Sequence, residues 1–129
     1  MIARSQHEDV LTLRLAHGKV SALDVELLEA LTWELDSVAE DVRTLVLTGV
    51  GSVFSAGADL FRLTRGGADY VRHFLPVLSR FLHMLFAFPR PVVAAVNGHA
   101  IAGGCVIALA ADTRLMGRGT GGSGCPNWQ

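Results

Sequence analysis

Two short stretches decide the fold of this chain: FSAGADL at residues 54–60 and NGHAIAGG at residues 97–104. Each follows an apolar run of the kind that forms a buried strand, TLVLT at 44–48 and VVAAV at 92–96. Each also precedes a stretch with the spacing of a helix. Because strands and helices alternate along the chain, the sequence predicts an α/β fold.

The same two stretches predict where chemistry takes place. Two strand-to-helix junctions at one edge of a core can aim backbone N–H groups at a single point, and converging N–H donors stabilise a developing oxyanion. Small residues in both stretches let a substrate carbonyl approach the backbone closely. Either loop alone could be an ordinary tight turn, in which small residues are common. Both together favour a paired donor site.

At these stretches the chain resembles the enoyl-CoA hydratase/isomerase (crotonase) superfamily, from about Val10 to about Gly121. AGADL at 56–60 matches the first oxyanion motif of that family, and residues 97–104 match the second. VSALD at 20–24 and ADTRLM at 111–116 fit the family pattern in register. The resemblance implies a right-handed spiral of strand-strand-helix units and assembly into homotrimers or hexamers.

The resemblance also implies a site. Ala58 and Gly103 would donate the two N–H groups that polarise an acyl-CoA thioester and stabilise its enolate. The residues that would border coenzyme A are Ala22, Leu23, Ala56, Asp59 and Leu60. Coenzyme A enters as part of the substrate, so no separate cofactor is expected. The histidines lack the spacing of zinc ligands, so no metal is expected either.

Other residues near the loops have two interpretations each. Asp59 is also a candidate cap for the next helix, and we favour that role over proton transfer. Lys19, Arg62 and Arg65 could meet the phosphates of coenzyme A, although such residues are more often solvated. His99 lies inside the second motif, where a structural or surface role is favoured.

Family hydratases usually carry two glutamates that act as acid and base, and this chain has neither. Val106 occupies the first aligned position and Asn127 the second. Water addition to a double bond needs a positioned proton donor and acceptor. We therefore expect little or no hydratase activity. The resemblance leaves an isomerase, a hydrolase or a decarboxylase as the activity of the full-length protein.

The residues after Gly121 depart from the family pattern. Relatives often have GTGRIGVPELA where this chain has GTGGSGCPNWQ, at 119–129. Codons can be chosen that encode the end of the relatives' sequence. After the loss of one base, the same codons encode residues Gly122 to Gln129 of this chain. We interpret residues 1–121 as a partial crotonase-like domain and residues 122–129 as an aberrant tail that follows a frameshift and truncation.

Periodicity predicts the remaining elements. Alternating or continuous apolar runs predict strands at Val10–Leu15, 43–49, Val92–Val96 and Thr113–Met116. Asp24 is expected to cap a helix that runs to about Glu40. The glycine pair at 66–67 is expected to break the chain before a helix at 68–87, with a start or a kink near Pro76.

Composition limits the partners. Half of the 129 residues are apolar, and the mean hydropathy is +0.39, which indicates a face covered by more chain or by another subunit. We expect the side of the long helix with Phe74, Phe81, Leu85 and Phe88 to lack cover, and the chain to aggregate. A net charge of −1 gives no reason to expect nucleic acid or an anionic membrane surface as a partner. No apolar run approaches the ~20 residues that span a membrane.

Two further inferences concern location and competing functions. Two cysteines without metal-ligand spacing, and an N-terminus without a signal-peptide pattern, predict a cytoplasmic protein.

The main hypothesis is an acyl-CoA enzyme or a fragment of one. The alternative is a non-catalytic protein, either a truncated remnant or a module that binds acyl-CoA or a homologous subunit.

Overall fold

The computed structural model describes residues 1–116, which form seven strands and three helices. In chain order these are β1 (Ile2–His7), β2 (Val10–Leu15), α1 (Val25–Asp36), β3 (Thr44–Thr48), β4 (Val53–Ser55), α2 (Leu60–Phe86), β5 (Val92–Val96), β6 (His99–Ala100), α3 (Gly103–Ala110) and β7 (Thr113–Met116). The predicted domain end at Gly121, the tail at 122–129 and Asn127 lie outside the described residues.

A five-stranded sheet in the order β1-β2-β3-β5-β7 forms one layer of the fold. The neighbours β2, β3, β5 and β7 run parallel, as expected for strands joined by helical crossovers. All four predicted strands are present within a residue of their expected bounds. The α/β prediction is therefore confirmed.

The N-terminal strand was not predicted. β1 pairs antiparallel with β2, with Ile2 opposite Leu15 and His7 opposite Val10. Only Ile2 of this strand is even partly buried, so its sequence lacks the apolar alternation that identifies a strand. Backbone hydrogen bonds to β2 hold it at the sheet edge, where an apolar face is not needed.

A second, two-stranded sheet joins the two motif regions. β4 and β6 pair in parallel, with Val53 opposite His99 and Ser55 opposite Ala100. The chain therefore repeats one unit: β3, β4 and α2, followed by β5, β6 and α3. This repeat is the strand-strand-helix spiral that the resemblance implied. Strands of two or three residues are too short to show a period, so the sequence pattern alone did not predict them.

The first helix begins where it was predicted and ends earlier. The Asp24 carboxylate accepts a hydrogen bond of 2.8 Å from the Leu27 N–H, which confirms it as the cap. The helix ends at Asp36 rather than near Glu40, because the backbone of Ser37 leaves the helical conformation, with a φ of −108° and a ψ of 16°. Its apolar stripe of Leu27, Leu28 and Leu31 is buried against the sheet.

The long helix begins earlier than predicted. α2 starts at Leu60, directly after Asp59, whose carboxylate accepts from the Arg62 N–H at 3.2 Å. The predicted break appears as a kink at Gly67, which has a φ of 62° and a ψ of −155°. Pro76 lies inside the helical segment that follows the kink and does not start it.

The apolar face expected to lack cover is buried. Phe74, Phe81 and Leu85 are at most 2% exposed, and Phe88 packs against the same core. That expectation was wrong, because α2 packs against α1 and this face belongs to the common hydrophobic core. The exposed large apolar side chains lie elsewhere and include Leu60, Phe61, Leu75, Phe86, Ile101, Val106, Leu109 and Leu115.

Within residues 1–116, no helix has both the length and the apolar character that crossing a bilayer requires.

Candidate functional site

The short parallel sheet brings the two motifs together. The Ile101 N–H donates to the Ser55 carbonyl at 3.0 Å, and the His99 N–H donates to the Ser52 carbonyl at 2.9 Å. A Cβ on Gly98 would lie 2.0 Å from the Ser52 carbonyl oxygen, so only glycine permits this approach. The motifs are distant in sequence, yet their backbones are in direct contact.

The Asn97 side chain links the start of the second loop to the segment that precedes the first loop. Its Oδ1 accepts from the Gly49 N–H at 2.9 Å, and its Nδ2 donates to the carbonyls of Gly51 and Val53 at 2.8 and 3.1 Å. One amide side chain thus satisfies three backbone groups of the turn between β3 and β4. This explains why an asparagine opens the second motif.

A backbone bridge orients the first predicted donor. The Leu23 N–H donates to the Gly57 carbonyl at 2.7 Å, and the Asp59 N–H donates to the Leu23 carbonyl at 2.9 Å. In a trans peptide the C=O and the N–H point in opposite directions. Because Leu23 holds the Gly57 carbonyl, the Ala58 N–H points away from Leu23.

Gly57 and Gly103 bring the two predicted donors close together. A Cβ added to Gly57 would lie 2.8 Å from the Gly103 nitrogen and 2.7 Å from the Ile101 carbonyl oxygen. A Cβ added to Gly103 would lie 3.5 Å from the Ala58 nitrogen. Within residues 1–116, neither the Ala58 N–H nor the Gly103 N–H donates to another protein group. Both are thus available to an acceptor from outside.

The residue before Gly103 has an unusual backbone. Ala102 has a φ of 49° and a ψ of −113°, a region that residues with a Cβ rarely adopt. It precedes the first turn of α3 and makes no side-chain capping bond. The Gly103 N–H therefore lies at the uncapped, partly positive end of a helix, which favours a negative ligand atom. Strained residues of this kind cluster at functional sites.

The residues predicted to border coenzyme A lie on two segments that pair with each other. The Ala56 N–H donates to the Val20 carbonyl at 3.0 Å, beside the bridge from Leu23 to Ala58. Ala22, Ala56 and Asp59 are half-buried, Leu23 is buried, and Leu60 is exposed, according to the exposed fractions of the whole residues. The fold brings these residues together, and their role in binding coenzyme A stays a prediction.

A charged cluster beside these segments was not predicted. The buried Asp24 carboxylate lies 2.6 Å from His17 Nε2, and Arg62 contacts both Asp24 and Glu26. The Arg62 guanidinium also lies 4.9 Å from the centre of the Tyr70 ring. The hydrogen bond from Arg62 lowers the pKa of Glu26 below its ordinary value and raises the pKa of Arg62.

This cluster bears on the basic residues proposed for phosphate contact. Arg62 is engaged by Glu26 and Asp24, so it is a poor candidate for a phosphate. Lys19 and Arg65 are exposed. The sequence did not predict the cluster, because its members come from the turn after β2, from α1 and its cap, and from α2, with no shared sequence motif.

Val106 lies one turn beyond Gly103 on α3, and its side chain is about half exposed. Residues three apart on a helix share a face, so Val106 places an apolar side chain on the face of α3 that begins at Gly103. His99 is exposed at the start of β6. In the described part of the chain, no three His, Cys, Asp or Glu side chains gather as a metal site.

Known proteins share this sequence pattern. The sequence profile of the family described as Enoyl-CoA hydratase/isomerase matches residues 5–120. A Thermus thermophilus protein named among the enoyl-CoA hydratases is 46% identical over 100 residues, which cover 73% of this chain and 39% of that protein. A 4-chlorobenzoyl coenzyme A dehalogenase of Arthrobacter is 38% identical over 83% of this chain and 42% of its own length. The 2,3-dehydroadipyl-CoA hydratase of Escherichia coli is 34% identical over 91% of this chain and 46% of its own length.

Solved structures share the fold. An enoyl-CoA hydratase from Bacillus anthracis superposes with a TM-score of 0.84 at 32% identity, covering 89% of this chain and 46% of that one. Pseudomonas aeruginosa DspI superposes with a TM-score of 0.86 at 29% identity, covering 91% and 49%. The chain thus spans less than half the length of each of these relatives.

Proposed function

Because the chain belongs to the enoyl-CoA hydratase/isomerase family, we propose that its two motif loops bind the thioester carbonyl of an acyl-CoA and stabilise the corresponding enolate. The close approach of the Ala58 and Gly103 backbones supports this most directly. Two unused N–H groups at one point suit an oxygen whose negative charge increases during reaction.

The chemistry follows from where the charge develops. When a base from the solvent takes a proton from the carbon next to the thioester, the electron pair of the broken C–H bond moves towards the carbonyl oxygen. Hydrogen bonds from Ala58 and Gly103 strengthen as that oxygen gains charge, so they stabilise the transition state more than the ground state. A single donor of this kind contributes about 3 kcal/mol.

Hydration is not part of the proposed function. Val106 has no ionisable group and no other residue of α3 carries a carboxylate, so this helix cannot deliver a proton or activate water with one. The relatives are named for different reactions, hydration and dehalogenation, at 34% and 38% identity. Identity at this level leaves the reaction open, and the proposal stops at thioester binding and enolate stabilisation.

The other expectations belong to the same proposal. Coenzyme A would lie against Ala22, Leu23, Ala56, Asp59 and Leu60, as part of the substrate and with no separate cofactor. Homotrimers or hexamers of the full-length protein, and a cytoplasmic location, are proposed on the family resemblance.

Infrared spectroscopy of a bound thioester tests the donor site. Butyryl-CoA labelled with ¹³C at the thioester carbonyl should show a lower C=O stretching frequency when it binds, because hydrogen bonds weaken the double bond. Gly103→Pro removes one donor and should lose much of that shift. Gly103→Ala keeps the N–H and reports the steric effect of a Cβ, which would lie 2.9 Å from Leu23 Cδ1. An unshifted carbonyl in the wild-type chain would refute the proposal.

Exchange of the substrate's α-hydrogens separates catalysis from binding. In D₂O, an enolate-forming protein should exchange the hydrogens next to the thioester of butyryl-CoA for deuterium. A shifted carbonyl without exchange would favour the alternative, a non-catalytic module that binds acyl-CoA. The absence of a carboxylate at Val106 is the observation that favours this second candidate.

A further inference from the structure

Ser55 lies where the two motif loops and the preceding segment meet. Its side chain is completely buried, and its hydroxyl makes two hydrogen bonds. Oγ donates to the Ser21 carbonyl at 2.8 Å and accepts from the Gly57 N–H at 3.2 Å. The hydroxyl therefore joins the segment at 20–24 to the first motif loop.

The backbone of Ser55 reaches the second loop. Its carbonyl accepts from the Ile101 N–H at 3.0 Å, and it pairs with Ala100 across the short sheet. α3 packs closely on the same residue, since a Cβ on Gly104 would lie 2.3 Å from the Ser55 carbonyl oxygen. One residue thus contacts every segment that carries or orients a proposed donor.

The hydroxyl acts on both backbone groups of Gly57, whose carbonyl belongs to the peptide that carries the Ala58 donor. It accepts directly from the Gly57 N–H, which belongs to the preceding peptide. Through Ser21, which has a φ of 46°, it holds the segment whose Leu23 N–H binds the Gly57 carbonyl. Since that carbonyl orients the Ala58 N–H, both contacts limit the same rotation.

We infer that Ser55 is a positioning residue of the oxyanion site: its buried hydroxyl sets the direction of the Ala58 N–H and couples the two motif loops. The inference rests on the proposed function, because it assigns Ser55 a role in that same site. A small side chain that both donates and accepts is required, and serine supplies it. Alanine would leave the Gly57 N–H and the Ser21 carbonyl without this partner.

The test compares two buried hydroxyls. Thr48 is also buried, and its Oγ1 donates to the Ala95 carbonyl at 2.8 Å between two strands of the main sheet, a bond that involves neither motif loop. Ser55→Ala and Thr48→Val each remove one such hydrogen bond. The readouts are the carbonyl frequency of bound ¹³C-butyryl-CoA and the hydrogen exchange of the Gly57 amide without ligand. Ser55→Cys, which keeps a weaker donor in the same place, serves if the alanine variant fails to fold.

We expect Ser55→Ala to lose most of the carbonyl shift and to exchange the Gly57 amide roughly tenfold faster, as for one lost hydrogen bond. Thr48→Val should keep the full shift, and Ser55→Cys should fall between them. A full shift in folded Ser55→Ala or Ser55→Cys would overturn the inference and leave the proposed function standing. An unshifted carbonyl in the wild-type chain would overturn both.

Discussion

Single residues determine whether the two loops can meet. Gly57 has a φ of 86°, a value that disfavours any side chain, and it also faces Ile101 and Gly103 at contact distance. Gly18 has a φ of 66° but faces open space. Substitutions at these two glycines therefore distinguish the cost of backbone strain, present at both, from the cost of a steric clash, present only at Gly57.

Replacing Gly57 by alanine should destabilise the fold more than replacing Gly18. Both variants force a Cβ into a left-handed conformation, at about 1–2 kcal/mol. Gly57→Ala also places the Cβ within 2.8 Å of two backbone atoms, which adds about 1–3 kcal/mol of overpacking. Urea unfolding of the two variants measures the difference. Equal losses would contradict the close approach of the loops.

The ion pair of Glu26 and Arg62 makes a small, pH-dependent contribution. Since the hydrogen bond from Arg62 lowers the folded-state pKa of Glu26 below 4.5, the stabilisation is present above pH 4.5 and is lost as the pH falls through that lowered pKa. Both side chains are about half exposed, so Glu26→Gln should cost less than about 1 kcal/mol near neutral pH.

A carboxyl titration followed by NMR checks the direction of this shift. Arg62→Gln should bring the Glu26 midpoint back towards 4.5. Arg72→Gln, which removes the partner of Asp69 on the exposed side of α2, should leave it unchanged. A Glu26 midpoint that is insensitive to Arg62 would show that the pair does not form in solution.

At the scale of elements, the short sheet of β4 and β6 converts two separate junctions into one site. The main sheet places β3 and β5 side by side, and each continues into a short strand that pairs with the other. Asn97 joins the turns between the long and the short strands. The relative position of the two loops therefore depends on hydrogen bonds between them.

Asn97→Ala should weaken this connection. Three hydrogen bonds at about 0.5–1.5 kcal/mol each predict a loss of about 1.5–4.5 kcal/mol of unfolding free energy. Ser37→Ala removes one exposed hydroxyl bond to the Trp33 carbonyl and should cost much less. Chemical denaturation compares the two variants. If Asn97→Ala lowered the free energy of unfolding as little as Ser37→Ala, the proposed role of Asn97 in joining the two loops would be refuted.

At the scale of the whole molecule, the chain exposes large apolar side chains on several elements. Phe61 and Phe86 on α2 are 80% and 81% exposed, and Val106, Leu109 and Leu115 also lie at the surface. Patches of this kind favour association. We therefore expect aggregation because of these exposed side chains and not because of the Phe74 face of α2, which is buried.

The 129-residue chain should therefore associate and should show little or no hydration of a short enoyl-CoA. Val106 supplies no proton-transfer group, and such groups contribute roughly 10²–10⁴-fold to rate. Size-exclusion chromatography beside a hydration assay tests both expectations. A monodisperse species that turns over at ordinary enzyme rates, about 1–10³ s⁻¹, would contradict them.

The sequence by itself determined the α/β class, four strands of the main sheet, the cap at Asp24 and the positions of the two motif loops. These features depend on local causes, namely apolar periodicity, capping side chains and glycine at tight turns, which a single stretch of chain displays. The family resemblance followed from the same local motifs, and the family profile and the solved structures confirm it.

Only the tertiary structure decided how the loops meet. The pairing of Ser55 with Ala100, the bridge from Leu23 to Ala58 and the cluster around Asp24 each join residues far apart in sequence. β1 and the cover over Phe74 likewise depend on neighbours supplied by other elements. A local sequence pattern does not identify such partners. A backbone hydrogen bond or a packed face forms only where the fold brings two distant segments together.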